Sequence, residues 1–272
     1  MTFFDKLDQS IQKNNSLVCV GLDTDTTKIP KHLTSLSDPI FAFNKAIIDS
    51  TYDLVCSYKP NIAYYAANGI EGLLSLKKTI EYIHLKYPTI PVILDAKRGD
   101  IGSTSEQYGK EVFDYYQADA TTVNPYMGFD AIEPFLTHID KGIIILCKTS
   151  NTGAKDFQNL ITSGHPLYME VTKKVLAWNQ QYANCLMVVG ATWPREMEEI
   201  RKLAPEMVFL TLGVGTQGAD LKKLLTAGLR KDKKGLIISS SRSIIYASID
   251  KDFAKQSRNA TEKLRDEINA YR

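Results

Sequence analysis

Four cysteines, four histidines and two tryptophans in 272 residues leave little material for several kinds of chemistry. Cys19, Cys56, Cys147 and Cys185 stand far apart, each in or beside an apolar run, and no CxxC pair occurs. That pattern excludes a disulfide framework and a thiolate metal cage, and it predicts buried, reduced thiols. His32, His84, His138 and His165 show no HxH or HxxxH spacing, so no zinc site is expected. Charge of one sign is also missing. Lysine and arginine number 33 against 31 acidic residues, too even a balance to draw nucleic acid or an anionic membrane. An anionic ligand would need a local site. No apolar run is long enough to span a membrane, and the opening MTFFDKLDQS lacks the basic and long apolar regions of a signal peptide. The expectation is a soluble cytoplasmic protein.

What is present is a regular alternation. Short runs rich in Val, Ile and Leu fall at 17–22, 54–59, 91–96, 118–124, 142–149, 186–190, 207–212 and 235–240. They lack polar alternation, as strands covered on both faces do. Helical stripes lie between them: Ile70, Leu73, Leu74, Lys77, Ile80 and Ile83; Leu167, Val171, Val175 and Trp178; Met197, Ile200 and Leu203; Leu221, Leu224 and Leu225. Ser103 and Glu106 fit a capping box for a helix carrying Tyr108, Val112 and Tyr116. Phe4, Leu7 and Ile11 mark an extra helix at the N-terminus, and Phe253, Ser257, Ala260, Leu264 and Ile268 one at the C-terminus. No GxGxxG follows the first run, which removes the usual mark of a dinucleotide-binding open sheet. The fold expected is α/β, a (β/α)₈ TIM barrel with an additional N-terminal helix, in one domain over 1–272. The polar segment 151–166 is the longest between elements and a candidate lid.

Barrels of this kind place their chemistry at the C-terminal ends of the strands. Those ends carry Asp23, then Lys59 and Asn61, then Asp95 and Lys97, then Asn124. Thr149, Ser150 and Asn151 follow the fifth run, Gly213, Gly215 and Gln217 the seventh, and Ser241 and Arg242 the eighth. One polar end would be an ordinary turn, whereas seven of eight on one rim predict a polar small-molecule site. The glycines of GVGTQG can bring backbone N–H groups close to an anion, and Arg242 can fork onto the same oxygens, so a phosphate is expected there. The densest stretch is 92–104, where a strand runs into Asp95, Lys97 and Asp100. Asp95 and Lys97, two apart, share a face. Burying such a set for stability returns little, because desolvation costs about what the attraction supplies. Flanking carboxylates would keep Lys97 protonated, suited to a general acid, while a desolvated lysine would instead suit Schiff-base chemistry.

The string LDAKRGDIGST resembles the orotidine 5'-monophosphate decarboxylase family, whose pattern Asp-x-Lys-x-x-Asp-Ile-Gly-x-Thr is met by Asp95, Lys97, Asp100, Ile101, Gly102 and Thr104. Lys59-Pro60-Asn61, Asp23 in VGLD, Val123 to Tyr126 with Gly128, Lys148 to Asn151, GVGTQG and SSSRSIIYA extend the likeness from the first strand to the eighth. The resemblance implies conversion of orotidine 5'-monophosphate to UMP and CO₂, the last step of de novo UMP synthesis, without metal or organic cofactor. It implies that Lys97 protonates C6, that Asp95 sits beside the departing carboxylate, and that Lys59 links Asp95 with the ribose. Asp23 and Asn61 would bind ribose hydroxyls or nearby polar groups, Ser150 the pyrimidine amide, Gln217 both phosphate and ring, and Arg242 the phosphate. Asn124 and Gly215 belong to the same matched substrate-binding stretches. Asp100, Ile101 and Thr104 would reach into a partner subunit's site, making a homodimer. Two positions depart from the pattern: Leu212 where a proline is common before GVG, and Thr152 where Asn-Pro-Gly is common.

Two other readings belong beside this one. Phosphosugar lyases and aldolases of the same superfamily share the Asp-x-Lys-x-x-Asp core but use Mg²⁺, with an acidic ligand near the place of Lys59. A silent barrel that only binds nucleotide monophosphates is the other, although loss of Lys97 or Asp100 would have been its mark.

Overall fold

A computed structural model describes residues 1–214 and 220–272. All eight apolar runs are strands: β1 Val18–Gly21, β2 Ser57–Lys59, β3 Ile93–Arg98, β4 Ala120–Val123, β5 Gly142–Lys148, β6 Cys185–Val189, β7 Phe209–Leu212 and β8 Leu236–Ser240. They pair in parallel in the order β2-β1-β8-β7-β6-β5-β4-β3. The two outer strands meet through isolated parallel bridges, Tyr58 with Val92 and Asn61 with Asp95. The Tyr58 N–H donates to Pro91 O at 3.1 Å and the Asp95 N–H to Pro60 O at 2.9 Å. The sheet thereby closes into the expected barrel, with its thinnest seam between β2 and β3.

The helices are α1 Phe3–Asn14, α2 Pro39–Thr51, α3 Ile62–Ala66, α4 Gly69–Lys86, α5 Gly102–Lys110, α6 Phe129–Leu136, α7 Leu167–Tyr182, α8 Pro194–Leu203, α9 Leu221–Gly228, α10 Arg242–Ile245 and α11 Phe253–Asn269. The α1 helix is the additional N-terminal one. Thr2 and Asp5 form its capping box, and Phe3, Leu7 and Ile11 are buried. Phe3 lies where β5 begins: a Cβ on Gly142 would come within 2.6 Å of its ring, so only glycine admits this packing. This helix covers the N-terminal end of the barrel.

Two local expectations fail. In α4, Ile70 and Leu74 are exposed, and the buried face is Gly72, Ser75, Leu76, Thr79, Ile80 and Ile83. The helix is turned because Gly72 sits against the Tyr65 carbonyl, where a Cβ would lie only 2.0 Å away. The turned face also delivers Thr79 to the buried Asn44 side chain, whose Nδ2 donates to Thr79 Oγ1 and to Tyr65 Oη at 3.0 Å each. The capping box at Ser103 is absent as well. The α5 helix starts at Gly102 without a side-chain cap, and Ser105 instead donates to Ala131 O at 2.8 Å. The 151–166 segment carries a 3₁₀ turn, Thr152–Asp156, and a small hairpin of Ile161–Thr162 with His165–Pro166. The four cysteines are buried and unpaired. Among the described residues no helix is long and apolar enough to cross a membrane.

Candidate active site

Closure of the barrel brings Lys59, the last residue of β2, against Asp95 of β3 across the thin seam. Asp95 is 3% exposed, and Lys59 is 2% exposed. Four donors surround the Asp95 carboxylate. Oδ1 accepts from Lys97 Nζ at 2.6 Å and Thr122 Oγ1 at 2.8 Å, and Oδ2 accepts from Lys59 Nζ at 3.1 Å and Asn61 Nδ2 at 3.2 Å. Burial alone would push the Asp95 carboxyl up, but the ammonium groups of Lys59 and Lys97 outweigh it and hold it well below the usual carboxylate range. Burial likewise works to push the Lys59 amine down, and Asp23 and Asp95 overcome that, leaving it well above its ordinary value. Both groups are therefore charged at neutral pH.

Asp95 and Lys97 do meet as their spacing implies, yet not on a regular strand. Pairing of β3 with β4 shifts register between Leu94 and Arg98. Inside that irregularity Lys97 adopts φ 47°, a left-handed conformation that lysine rarely takes. Such strain persists only where the surroundings impose it, and it gathers at functional sites. Here Thr122 imposes it: its Oγ1 accepts the Lys97 N–H at 2.9 Å while donating to Asp95. The Lys97 side chain remains 43% exposed, so its ammonium stands at the rim. Sequence reasoning missed Thr122. A pair of hydroxyls, Thr121 and Thr122, in an otherwise apolar buried strand was the available signal, since each needs a partner.

Asp23 Oδ1 lies 3.8 Å from Lys59 Nζ and, though buried, has no hydrogen-bond partner among the described residues. Asn61 caps α3, its Oδ1 accepting the Ala63 N–H at 3.1 Å. Asn124 Oδ1 accepts the Tyr126 N–H at 3.1 Å, so that oxygen serves a turn. Asp100 forms no ion pair with Lys97: among the described residues it has none, and its Oδ1 accepts the Ile101 N–H at 2.8 Å. Gly99 permits this path, since a Cβ there would lie 2.7 Å from Asn124 O. Ile101 and Thr104 are exposed. Ser150 is half-buried beside Gly190, and Arg242 opens α10 at the end of β8. Gly215 and Gln217 lie outside the described residues.

The arrangement offers a cation at the rim, fixed by a fully ionised carboxylate, beside a second carboxylate with an unsatisfied oxygen. It can place positive charge against an atom that becomes negative. Among the described residues no three His, Cys, Asp or Glu side chains gather as a metal site.

Known proteins share this chain's sequence and fold. The model of the Orotidine 5'-phosphate decarboxylase / HUMPS family matches residues 16–256. The chain is 52% identical to the orotidine 5'-phosphate decarboxylase of Cellvibrio japonicus over 274 residues, covering 100% of both. It is 50% identical to that of Ralstonia nicotianae over 273 residues, again covering 100% of both. The solved structure of Leishmania donovani OMP decarboxylase matches with a TM-score of 0.86 at 37% identity, covering 100% of this chain and 99% of that one. For Leishmania donovani UMP synthase the TM-score is 0.89 at 38% identity, and this chain spans 56% of that protein's length. With a family match over most of its length and relatives identical at half their positions end to end, the chain belongs to the orotidine 5'-phosphate decarboxylase family.

Proposed function

We propose that this member of the family converts orotidine 5'-monophosphate to UMP and CO₂ by metal-free decarboxylation, with Lys97 as the proton donor. The observation that carries the reading is the Asp95 carboxylate held by four donors, one of them Lys97 on strained backbone. The bond from C6 to the carboxylate breaks, CO₂ leaves, and the electron pair stays on C6 in the plane of the ring. Lys97 Nζ gives a proton to C6, and the neutral amine left at the exposed rim regains one from solvent. The pyrimidine π system cannot accept that pair, so stabilisation must come from the site. Enzymes lower barriers by about 8–23 kcal/mol, and this reaction needs the upper part of that range. Repulsion between Asp95 and the substrate carboxylate at ~4 Å amounts to roughly 4 kcal/mol at an effective dielectric near 20. The larger share therefore falls to Lys97 facing the developing carbanion.

Asp23, with its unsatisfied Oδ1, suits a ribose hydroxyl, and Lys59 joins it to Asp95. Asn61 and Asn124 line the same rim, Ser150 meets the pyrimidine amide, and Arg242, Gly215 and Gln217 take the phosphate. Asp100, Ile101 and Thr104 complete the site of a second copy. Exposed Ile101 at 58%, with Tyr126 at 83% on the neighbouring loop, gives that homodimer an apolar contact. The barrel acts as one domain, in the cytoplasm. The Mg²⁺-dependent phosphosugar reading is disfavoured by Lys59, whose ammonium occupies the Asp95 oxygen a cation would need. Purified protein given orotidine 5'-monophosphate should show the absorbance change of UMP formation. An unchanged spectrum at high protein concentration would support the nucleotide-binding barrel instead.

A further inference from the structure

The ladder of β5 ends at Lys148, opposite Val189, yet the next two residues are held as firmly as a strand. Side chains do this. The Thr149 N–H donates to Gln158 Oε1 at 2.9 Å, and Trp193 Nε1 donates to Thr149 O at 2.8 Å. Gln158 Nε2 returns to Thr149 Oγ1 at 2.8 Å, and that hydroxyl donates to Asn151 Oδ1 at 2.7 Å. The Ser150 carbonyl accepts from Thr192 Oγ1 at 3.1 Å. On the opposite side Gly190 leaves no space, because a Cβ there would sit 2.7 Å from Ser150 Cα. Every backbone polar group of Thr149 is thus taken by a side chain from a different loop, where water would otherwise have served.

A buried cation braces the same assembly. Lys148 is wholly buried, forms no ion pair among the described residues, and donates from Nζ to Asn159 Oδ1 at 2.5 Å. Its ammonium lies 4.7 Å from the Trp193 ring and 5.4 Å from that of Tyr168. Asn159 and Gln158 both belong to the 151–166 segment, so that segment is tied to the end of β5 at two adjacent residues. The Ser150 hydroxyl takes no part in any of these bonds among the described residues.

We infer that Trp193 and Gln158 are positioning residues for Ser150, fixing the Thr149 peptide so that the Ser150 hydroxyl faces the base of the nucleotide. The inference rests on the proposed reading in which Ser150 meets the pyrimidine amide. It gives the 151–166 segment a task of its own: it supplies half of the clamp that sets recognition of the base. A hydroxyl aimed by rigid neighbours discriminates far better than one free to rotate with its loop, because misplacement of about 1 Å can cost 10²-fold in rate.

The test is a double-mutant cycle with two ligands. Trp193→Phe keeps an aromatic ring beside Lys148 while removing the Nε1 donor with the pyrrole part of the indole, and Gln158→Leu removes both amide contacts. Each should lower kcat/KM for orotidine 5'-monophosphate and affinity for UMP by about tenfold, the scale of one well-placed hydrogen bond. Affinity for ribose 5-phosphate, which has no base, should stay within twofold of wild type. In a Ser150→Ala background, Trp193→Phe should add less than twofold. Equal weakening of ribose 5-phosphate, or effects that multiply fully in the double variant, would overturn the positioning role while leaving Ser150's own role standing. Ser150→Ala with wild-type turnover and UMP affinity would instead sink the reading of Ser150 and the inference with it.

Discussion

Two buried aspartates sit at opposite ends of the barrel, each between two basic side chains, and they are built for different purposes. Asp119, at the N-terminal end, accepts from Lys6 Nζ at 2.6 Å, pairs with His84 Nε2 at 3.0 Å and takes the Val92 N–H at 2.8 Å. Its partners arrive from α1, α4 and the start of β3, so the carboxylate fastens two helices to the barrel floor. Nothing in that cluster is strained or left over. Asp95, at the other end, holds two lysines, one of them on left-handed backbone, and beside them Asp23 keeps an oxygen with no hydrogen-bond partner among the described residues. The same ingredients therefore give a fastening where every group is satisfied and a working site where strain and an unmet oxygen remain. Count of charges does not separate the two; completeness does.

The sharpest way to break the comparison is to remove one group from each end. Lys97→Ala should lower turnover by at least about 10⁴-fold, the combined scale of a lost general acid and a lost electrostatic stabiliser. UMP binding should persist, measured by calorimetry, and wild-type-like rates would exclude Lys97 as the acid. If sites are shared, mixing Lys97→Ala with Asp100→Ala protomers restores part of the activity, and confirmed heterodimers without recovery would place both residues in one site. Asp119→Ala should do the reverse. It should cost about 3 kcal/mol of stability by stranding its partners, while kcat stays near wild type. A loss of kcat without loss of stability would erase the distinction between the two ends.

Acid should act on the lower cluster in a defined direction. Burial raises the Asp119 carboxyl, but His84 and Lys6 outweigh it and leave it below 3.8. Its folded form thus binds protons less readily than the unfolded chain, so its contribution is present above that value and fades as pH falls further. Urea midpoints taken from pH 5 downward should fall more steeply for wild type than for Asp119→Asn. The smallest effect expected is none: chelation with EDTA should leave turnover unchanged, and lost activity would favour the Mg²⁺-dependent reading.

Much of this could be read before the fold was known, for identifiable reasons. Strands buried on both faces leave continuous apolar runs, and all eight were legible from them. The polar residues that end those runs marked the rim. Spacing also brought Asp95 and Lys97 together, although the route through a bulge, and Thr122 as its cause, depends on pairing with β4 that no local pattern encodes. The face of α4 was misread because a glycine against the Tyr65 carbonyl turned the helix, and such a close approach is invisible in periodicity. Asp100 is close to Lys97 along the chain, yet among the described residues it forms no ion pair, and its Oδ1 accepts the Ile101 N–H instead. The clamp on Thr149 draws on Gln158 and Trp193, 9 and 44 residues away, and neither residue type announces such a task.

The join where β2 meets β3 rests on two isolated bridges, and Lys59 and Asp95 face each other across it. The cylinder's most weakly stitched edge is also where its opposing charges must stay in register. Gaping there by a single ångström would part the lysine from the carboxylate long before the other seven contacts between strands gave way. Warming or mild denaturant should therefore silence the protein while its helices still report an intact shell.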